Sequence, residues 1–225
     1  MAGAAEPEFL SVDPGGFLDE ILAEDYMGFL DRLYEVNKVM NLTRVPREEA
    51  LGRHIFDSML FQDLIPHGAR VLDLGTGPGF PAWPLARFRS DLQITAIDSS
   101  AKMIGFLRGS PLANLRLVQT RAEEFGEREG FDVVTGRALA HLSVQLELSA
   151  AYAKLGGVVI PMRSSRDLDE IRKFTGGQIG LKLKAIEGRV LKDSNAPRLF
   201  PVYRKVRPTP GRYPRKWADI KRDPL

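Results

Sequence analysis

Three glycines at alternate positions, Gly75, Gly77 and Gly79, follow closely on a carboxylate in the stretch Arg70-Val-Leu-Asp-Leu-Gly-Thr-Gly-Pro-Gly-Phe80. Glycines so spaced let the backbone turn tightly, adopt positive φ and approach a ligand with no side chain between. Phe80-Pro81 then opens a helix, and a helix N-terminus behind such a turn holds a nucleotide-like molecule. A second carboxylate, Asp98, ends the apolar run Leu92-Gln-Ile-Thr-Ala-Ile-Asp98 about 20 residues further on, where a second strand meets a ribose. Asp98 either grips the ribose hydroxyls or caps the helix that follows, since Ser99 and Ser100 also cap well.

A dinucleotide fingerprint spaces its glycines as Gly-x-Gly-x-x-Gly; here the third comes one residue early and Phe80 follows it. Asp73, two residues before the first glycine, suits a ligand that carries a cation. The stretch resembles the S-adenosylmethionine loop of class I methyltransferases, an apolar strand ending in Asp-x-Gly-x-Gly-x-Gly. Further along, Arg121-Ala-Glu-Glu124 follows a third strand, where the backbone of Ala122 and the Glu123 carboxylate can meet an adenine. The alternative is that Glu123 and Glu124 are acids at a helix start. Arg137, directly after a fourth strand, either enters the same crevice to pair with a carboxylate or phosphate, or lies on the surface. His54 and Asp57, three apart on a helix, either face one site or form a surface pair.

The elements that must position these groups follow from periodicity. Apolar residues from Leu18 to Leu33 recur at helical spacing after Asp13-Pro14, Asn37 to Thr43 breaks the pattern, and Pro46 to Phe61 starts a second helix. Residues 13–65 are therefore read as a helical cap, behind a flexible N-terminus over 1–12. Five strands, 69–73, 92–97, 115–119, 131–135 and 158–162, then alternate with helices, and 181–190 and 199–206 close the sheet as an antiparallel pair. The expected fold is α/β, a class I Rossmann-like sheet of seven strands over 66–207, with a basic tail over 208–225 packed on or beside the site.

Composition narrows the chemistry. The 225 residues contain no cysteine, which excludes disulfides, cysteine-rich zinc sites and a thiol nucleophile. Three scattered histidines, at 54, 67 and 141, predict no metal site. No apolar run approaches about 18 residues, and the first basic residue is Arg32, so neither a membrane span nor a charged targeting region is expected and the location read is cytoplasmic. The net charge of +3 is uneven: residues 201–225 hold eight Lys or Arg against two Asp, which leaves residues 1–200 at −3. A tail of that sign suits a polyanionic substrate, or merely keeps the surface solvated.

Together these stretches resemble the bacterial ribosomal RNA small subunit methyltransferase G family, also called glucose-inhibited division protein B, over roughly residues 30–225. The motifs are Asn41-Leu-Thr43, His54-Ile-Phe-Asp-Ser58, VLDLGTGPGFP over 71–81, Asp98-Ser99 with Lys102 and Phe106-Leu107, Arg121-Ala-Glu123, Gly136-Arg-Ala138 and Tyr213-Pro-Arg215. The resemblance implies S-adenosyl-L-methionine as cofactor, held by Gly75, Gly77, Gly79, Phe80, Asp98, Ala122, Glu123 and Arg137. It implies 16S ribosomal RNA or the small ribosomal subunit as partner, neither DNA nor membrane, a monomer, and methylation of N7 of one guanine in the decoding-region loop. Phosphate contacts are expected from Lys102, Arg163, Arg212, Arg215, Lys216, Lys221 and Arg222. The chain departs from the family where Lys-Gly gives way to Arg163-Ser164, at Lys102-Met103, around Gly109 to Ala113 where a helix is short, and where Trp217-Ala-Asp-Ile220 replaces Pro-Gly-x-Pro.

The implied reaction agrees with what the chain lacks. Pyrimidine C5 methylation normally needs a cysteine, and methylation of an exocyclic amine commonly uses an Asn/Asp-Pro-Pro-aromatic loop where this chain has Thr135-Gly-Arg-Ala138. Guanine N7 offers a lone pair and loses no proton, so no catalytic acid or base is named. An extruded guanine is expected to stack on an aromatic such as Phe80, Trp83 or Trp217, each of which is otherwise a core residue. A class I methyltransferase acting on a small molecule or a protein is the competing reading.

Overall fold

The computed structural model describes residues 7–225. Its helices are α1 (Glu20–Met40), α2 (Asp57–Met59), α3 (Ala82–Phe88), α4 (Ala101–Arg108), α5 (Leu142–Ala150), α6 (Leu168–Lys173) and α7 (Trp217–Arg222). Its strands are β1 (Phe9–Val12), β2 (Arg70–Leu74), β3 (Gln93–Asp98), β4 (Leu115–Gln119), β5 (Phe131–Arg137), β6 (Ala153–Ser164), β7 (Leu181–Leu191) and β8 (Arg198–Lys205). They form one sheet in the order β1-β7-β8-β6-β5-β2-β3-β4. β6, β5, β2, β3 and β4 run parallel, and β8 is antiparallel to both β6 and β7. That is the alternating α/β core with its closing antiparallel pair, and the order reverses beside β2, so the crevice lies above the carboxyl ends of β2 and its neighbours.

Successive strand residues point to opposite faces, and the core divides accordingly. Leu72, Leu74 and Val134 pack with α5, Tyr203 and Tyr213 on one face, whereas Val71, Ile94, Val133 and Ile160 pack with Leu85, Phe61 and Phe200 on the other. A third cluster joins Tyr26, Phe29, Leu30 and Leu33 of α1 to Phe80, Trp83, Phe106 and Leu107. Segment 13–65 therefore shares its core with α3 and α4 rather than enclosing one of its own.

An eighth strand joins the seven expected. Of the flexible segment read over 1–12, residues 1–6 lie outside the described residues, and Phe9–Val12 form β1, parallel to β7 with Phe9 opposite Gly188. A side chain at Gly188 would collide with the Glu8 carbonyl oxygen, so the glycine lets β1 approach. Four residues, mostly exposed, carry no alternation from which to read a strand.

The cap also differs in detail. Asp13 caps only a 3-10 turn, Pro14–Phe17; α1 starts after Asp19, whose carboxylate accepts from Leu22 N at 2.7 Å. Asn37, read as a helix breaker, stays helical and holds the next loop instead, its Oδ1 accepting from Leu42 N and Thr43 N. The helix read over 46–61 is a 3-10 turn (Arg47–Glu49), a π-helical turn (Leu51–Phe56) and α2. The Ser58 hydroxyl donates to the His54 carbonyl across the join. A π turn of this kind re-aims side chains, here His54 and Asp57.

Residues 208–225 fold back on the sheet. Tyr213 and Ile220 are buried, and Arg215 gives its backbone N–H, Nε and Nη2 to the Glu147 carboxylate at 3.0, 2.9 and 2.6 Å. Glu147 is wholly buried, so its charge depends on that partner. Arg215→Ala is expected to destabilise the protein by about 3 kcal/mol, because it leaves a buried carboxylate unpaired. Adding Glu147→Gln, which removes the charge, restores most of the loss; urea unfolding of the two variants measures both.

Candidate active site: two cavities about one loop

The glycine loop is held by β3. Gly75 N and Thr76 N both donate to the Ile97 carbonyl, at 2.9 and 3.0 Å, and Gly77 N donates to Asp98 Oδ2 at 2.9 Å. Asp98 Oδ1 accepts from Ser100 N at 2.8 Å. Asp98 thus holds the glycine loop and the turn that leads into α4 at once, and a carboxylate with about four acceptor positions keeps capacity for a ligand. Gly77, at φ 57°, has open space where a Cβ would sit. At Gly79 the absence of a side chain serves packing, since a Cβ there would lie 2.6 Å from Leu107 Cδ2 of α4.

A cavity of about 180 Å³ opens beside this loop, lined by Gly75, Asp98, Ser99, Ala122, Glu123, Leu139, Leu148 and Trp217 among others. Four of the residues expected to hold the cofactor thereby share one pocket. Glu123 pairs with Arg121 at 2.7 Å, and the Ala122 carbonyl accepts from the Tyr152 hydroxyl. Trp217, one of the three aromatics considered for the guanine, walls this cavity rather than a separate one.

A second cavity, about 410 Å³, lies across the loop 137–139: Leu139 lines the first, Arg137 and Ala138 the second. His54, Asp57, Arg53, Arg163, Asp167 and Arg198 complete its polar lining. His54 and Asp57 therefore face one site, the outcome that the π turn produces. Arg137 donates from Nη2 to His54 Nδ1 at 3.0 Å and from Nη1 to the Arg53 carbonyl at 2.8 Å. A guanidinium cannot accept, so Nδ1 is the acceptor and Nε2–H donates to Thr43 Oγ1 at 2.8 Å. The His54 ring, 4 % exposed, stacks on Phe80 with centroids 4.2 Å apart and planes 2° from parallel. Burial, with Arg137 and Arg53 adding to it, pushes the His54 pKa down to about 3.

Several residues expected at the ligands have partners within the protein. Phe80 is 2 % exposed and lines neither cavity; its ring is the platform on which His54 rests, with Phe29 against it at 5.8 Å and the Arg137 guanidinium 5.1 Å from its centre. Trp83 stacks on Phe29 at 4.0 Å and gives its indole N–H to the Ser110 carbonyl, so it is core. Lys102 Nζ donates to the Met40 and Asn41 carbonyls at 2.9 and 3.0 Å, closing the C-terminus of α1 rather than reaching outward. Arg215 is occupied by Glu147, and Arg222 by Asp219 at 2.7 Å. Arg212 lies over the Tyr213 ring, and Lys216 and Lys221 are exposed. Arg53 and Arg198 were not singled out by the sequence; Arg198 holds Asp57 through Nε and Nη2 at 3.0 and 2.8 Å, and an arginine at the start of a strand gives no signal of that.

Beneath the glycine loop Asp73 is completely buried, and both of its oxygens lack a hydrogen-bond partner, as does Thr76 Oγ1. Burial raises its pKa to about 7 from an ordinary 3.8, although Thr76 and the Ala82 N–H, facing it without bonds of good geometry, pull the other way.

A family model described as rRNA small subunit methyltransferase G matches residues 23–193. The "Ribosomal RNA small subunit methyltransferase G" of Lactobacillus johnsonii is 34 % identical over 223 residues, 92 % of this chain and 93 % of its own. The protein of the same name from Exiguobacterium is 36 % identical over 221 residues, with 92 % and 93 % covered. Among solved structures, M. jannaschii TYW2 in complex with AdoMet superposes with a TM-score of 0.54 at 16 % identity, covering 69 % of this chain and 77 % of that one. S-adenosyl-L-methionine is accordingly the cofactor, and the first cavity has features that fit it. These are two carboxylates in its lining, Asp98 and Glu123, and, in the strand end and loop beside it, the orphaned buried carboxylate of Asp73 and the open space above Gly77.

Two outcomes follow. Gly77→Ala strains an αL position by about 1 kcal/mol and fills the open space, so cofactor affinity by titration calorimetry falls at least about tenfold (one step of roughly 1.4 kcal/mol) while thermal unfolding changes little. Asp73, with its pKa raised, binds more protons folded than unfolded between about 4 and about 7, so its contribution declines as pH rises through that window. His54, with its pKa lowered from 6.5 to about 3, binds fewer protons folded and contributes the opposite slope. Asp73→Asn removes the first slope alone; unfolding of the cofactor-free protein shows the variant gaining on wild type steadily from about pH 4 to 7.

Proposed function

The chain belongs to the rRNA small subunit methyltransferase G family, and from that membership we infer that it methylates N7 of a single guanine in the decoding-region loop of 16S rRNA. The observation that supports the choice of N7 is that, among the described residues, the histidine and the two carboxylates lining the second cavity are each tied to a partner. Both nitrogens of His54 are engaged, Nδ1 by Arg137 and Nε2 by Thr43, and its pKa near 3 makes it a poor base. Asp57 Oδ2 takes two bonds from Arg198, and Asp167 accepts from Ser164 N and Oγ. Methylating an exocyclic amine or a hydroxyl demands removal of a proton, and a group already tied to a partner serves that less well than a free one. An acceptor that already presents a lone pair needs only to be placed.

When bound, S-adenosyl-L-methionine supplies an electrophilic methyl on a sulfonium. The chain's own residues then do the placing. Asp73, buried beneath the loop, offers negative charge toward that cation; Asp98 and Glu123 take the nucleoside end; Arg137, in the wall of the second cavity and two residues from Leu139 of the first, pairs the cofactor's carboxylate. Loop 137–139 separates the cofactor side from the target side, so an extruded base enters through the second cavity and meets the methyl in line.

Affinity for RNA comes from a basic rim on that side. Arg53, Arg137, Arg163 and Arg198 line the second cavity, and the exposed Arg44 and Arg166 adjoin its lining residues Val45 and Ser164 through one or two positions of chain. In the tail, Arg215 is tied to the buried Glu147, whereas Arg222 is exposed and paired with Asp219 on the surface. Of the tail, Arg212, Lys216, Lys221 and Arg222 remain as phosphate contacts.

The test is transfer of labelled methyl to unmethylated small-subunit RNA, presented deproteinised and as subunits, with the product nucleoside identified by mass. A single 7-methylguanosine is expected. Methyl on an exocyclic nitrogen or a ribose hydroxyl would overturn the N7 assignment, and transfer to neither substrate would overturn the RNA assignment.

A further inference from the structure

Three arginines of this chain can be compared by one edge of the guanidinium, the edge that presents Nε–H and Nη2–H side by side. Arg198 fills that edge with Asp57, and Arg215 fills it with Glu147. Arg163 does not. It is 8 % exposed, its Nη1 donates to the Ala140 carbonyl at 2.8 Å, and its Nε and Nη2 are buried without a partner. The side chain lines the second cavity, beside Asp167, whose Oδ2 is taken by the Ser164 N–H and hydroxyl at 3.0 and 3.2 Å.

We propose that this open edge of Arg163 is an oxyanion subsite that holds one phosphodiester of the RNA strand carrying the target guanosine. The planar fork matches two oxygens of a phosphate or carboxylate, and buried donors kept without a partner mark a position completed by a ligand. Two anions come within reach of this active site, the cofactor's carboxylate and the RNA backbone. Topology favours the second. The cofactor cavity draws on the ends of β2, β3 and β4, with Leu139 after β5 at its near margin, whereas Arg163 stands on β6, beyond β5 and two strands from β2 on the opposite side. At about 4.8 Å per strand that is a lateral offset of about 10 Å, with Arg137 of β5 between them. A phosphate also relieves the charge of the wall, where Arg53, Arg137 and Arg163 face one carboxylate tied to Arg198 and another tied to Ser164. The inference rests on the RNA methyltransferase reading, and it adds to that reading a contact that fixes the nucleotide by its backbone rather than by its base.

Arg163→Gln and Arg163→Lys in the full chain test it by binding, apart from turnover. Guanosine 5′-monophosphate and guanosine are titrated by NMR into protein saturated with S-adenosylhomocysteine, and S-adenosylmethionine is titrated separately. In wild type the phosphate is expected to strengthen binding about tenfold or more, as a charged bidentate bond does. Arg163→Gln brings the nucleotide to the level of the nucleoside and leaves cofactor affinity unchanged; Arg163→Lys, which keeps the charge and loses the fork, recovers part. The Lys variant also serves where the Gln variant fails to fold. Weakened cofactor binding with the nucleotide preference intact overturns the proposal and assigns the edge to the cofactor's carboxylate. No preference for the phosphate in wild type overturns it as well. Failure of the underlying reading looks different: wild type then transfers no methyl to small-subunit RNA, whatever the titrations show.

Discussion

The bond from Arg137 Nη2 to His54 Nδ1 is the constraint on which the arrangement depends. It runs from the end of the fourth parallel strand in the crevice to the π turn of the cap, and it decides three things at once. It fixes the His54 tautomer and so sends Nε2–H to Thr43. It holds the imidazole flat on Phe80, in a helix start that also carries the glycine loop. And it turns the arginine into the wall between two cavities. A buried histidine facing two guanidiniums cannot be protonated at neutral pH, so a cationic hinge never forms there. The cap is therefore part of the active site, joined to it by a neutral ring between a cation and a hydroxyl.

What the sequence made legible was set by backbone regularity. The parallel strands are continuous apolar runs bounded by Gly, Asp and Ser, and β2 through β5 lie within one or two residues of the ranges read from them. Asp73, Gly75 and Asp98 were found because glycine spacing and strand-end carboxylates are local signals. Contacts that join distant segments left no such mark. Asp57 and Arg198 are 141 residues apart, Arg215 and Glu147 are 68 apart, and neither pair shows any periodicity. The π turn was equally hidden, because a helical pattern of apolar residues does not register one extra residue in a turn. β1 escaped because its pairing depends on a glycine in another strand.

Charge shows the same limit from another side. The tail is the most basic stretch of the chain, and a linear count makes it the natural partner of a polyanion. Folding removes one of its arginines from that role, Arg215, to neutralise a carboxylate inside α5. The positive wall that faces the second cavity is instead assembled from residues 53, 137, 163 and 198, single arginines from four separate segments. Substrate electrostatics here is a property of the sheet's order, not of composition.

The two cavities also carry opposite debts of solvation. Beneath the first, Asp73 is a carboxyl group without a hydrogen-bond partner; beside the second, Arg163 keeps two donors without one. Each such group left dry costs roughly 1–3 kcal/mol in a folded protein, so neither is explained by the stability of the ligand-free chain. Their signs match the two proposed ligands in order, a buried acid for a sulfonium and buried donors for a phosphate. Loop 137–139 lies between them, and binding on either side satisfies a group that folding alone leaves unsatisfied. A site built in this way gains stability from its ligands, and it orients them by the same polar groups that it could not satisfy by itself.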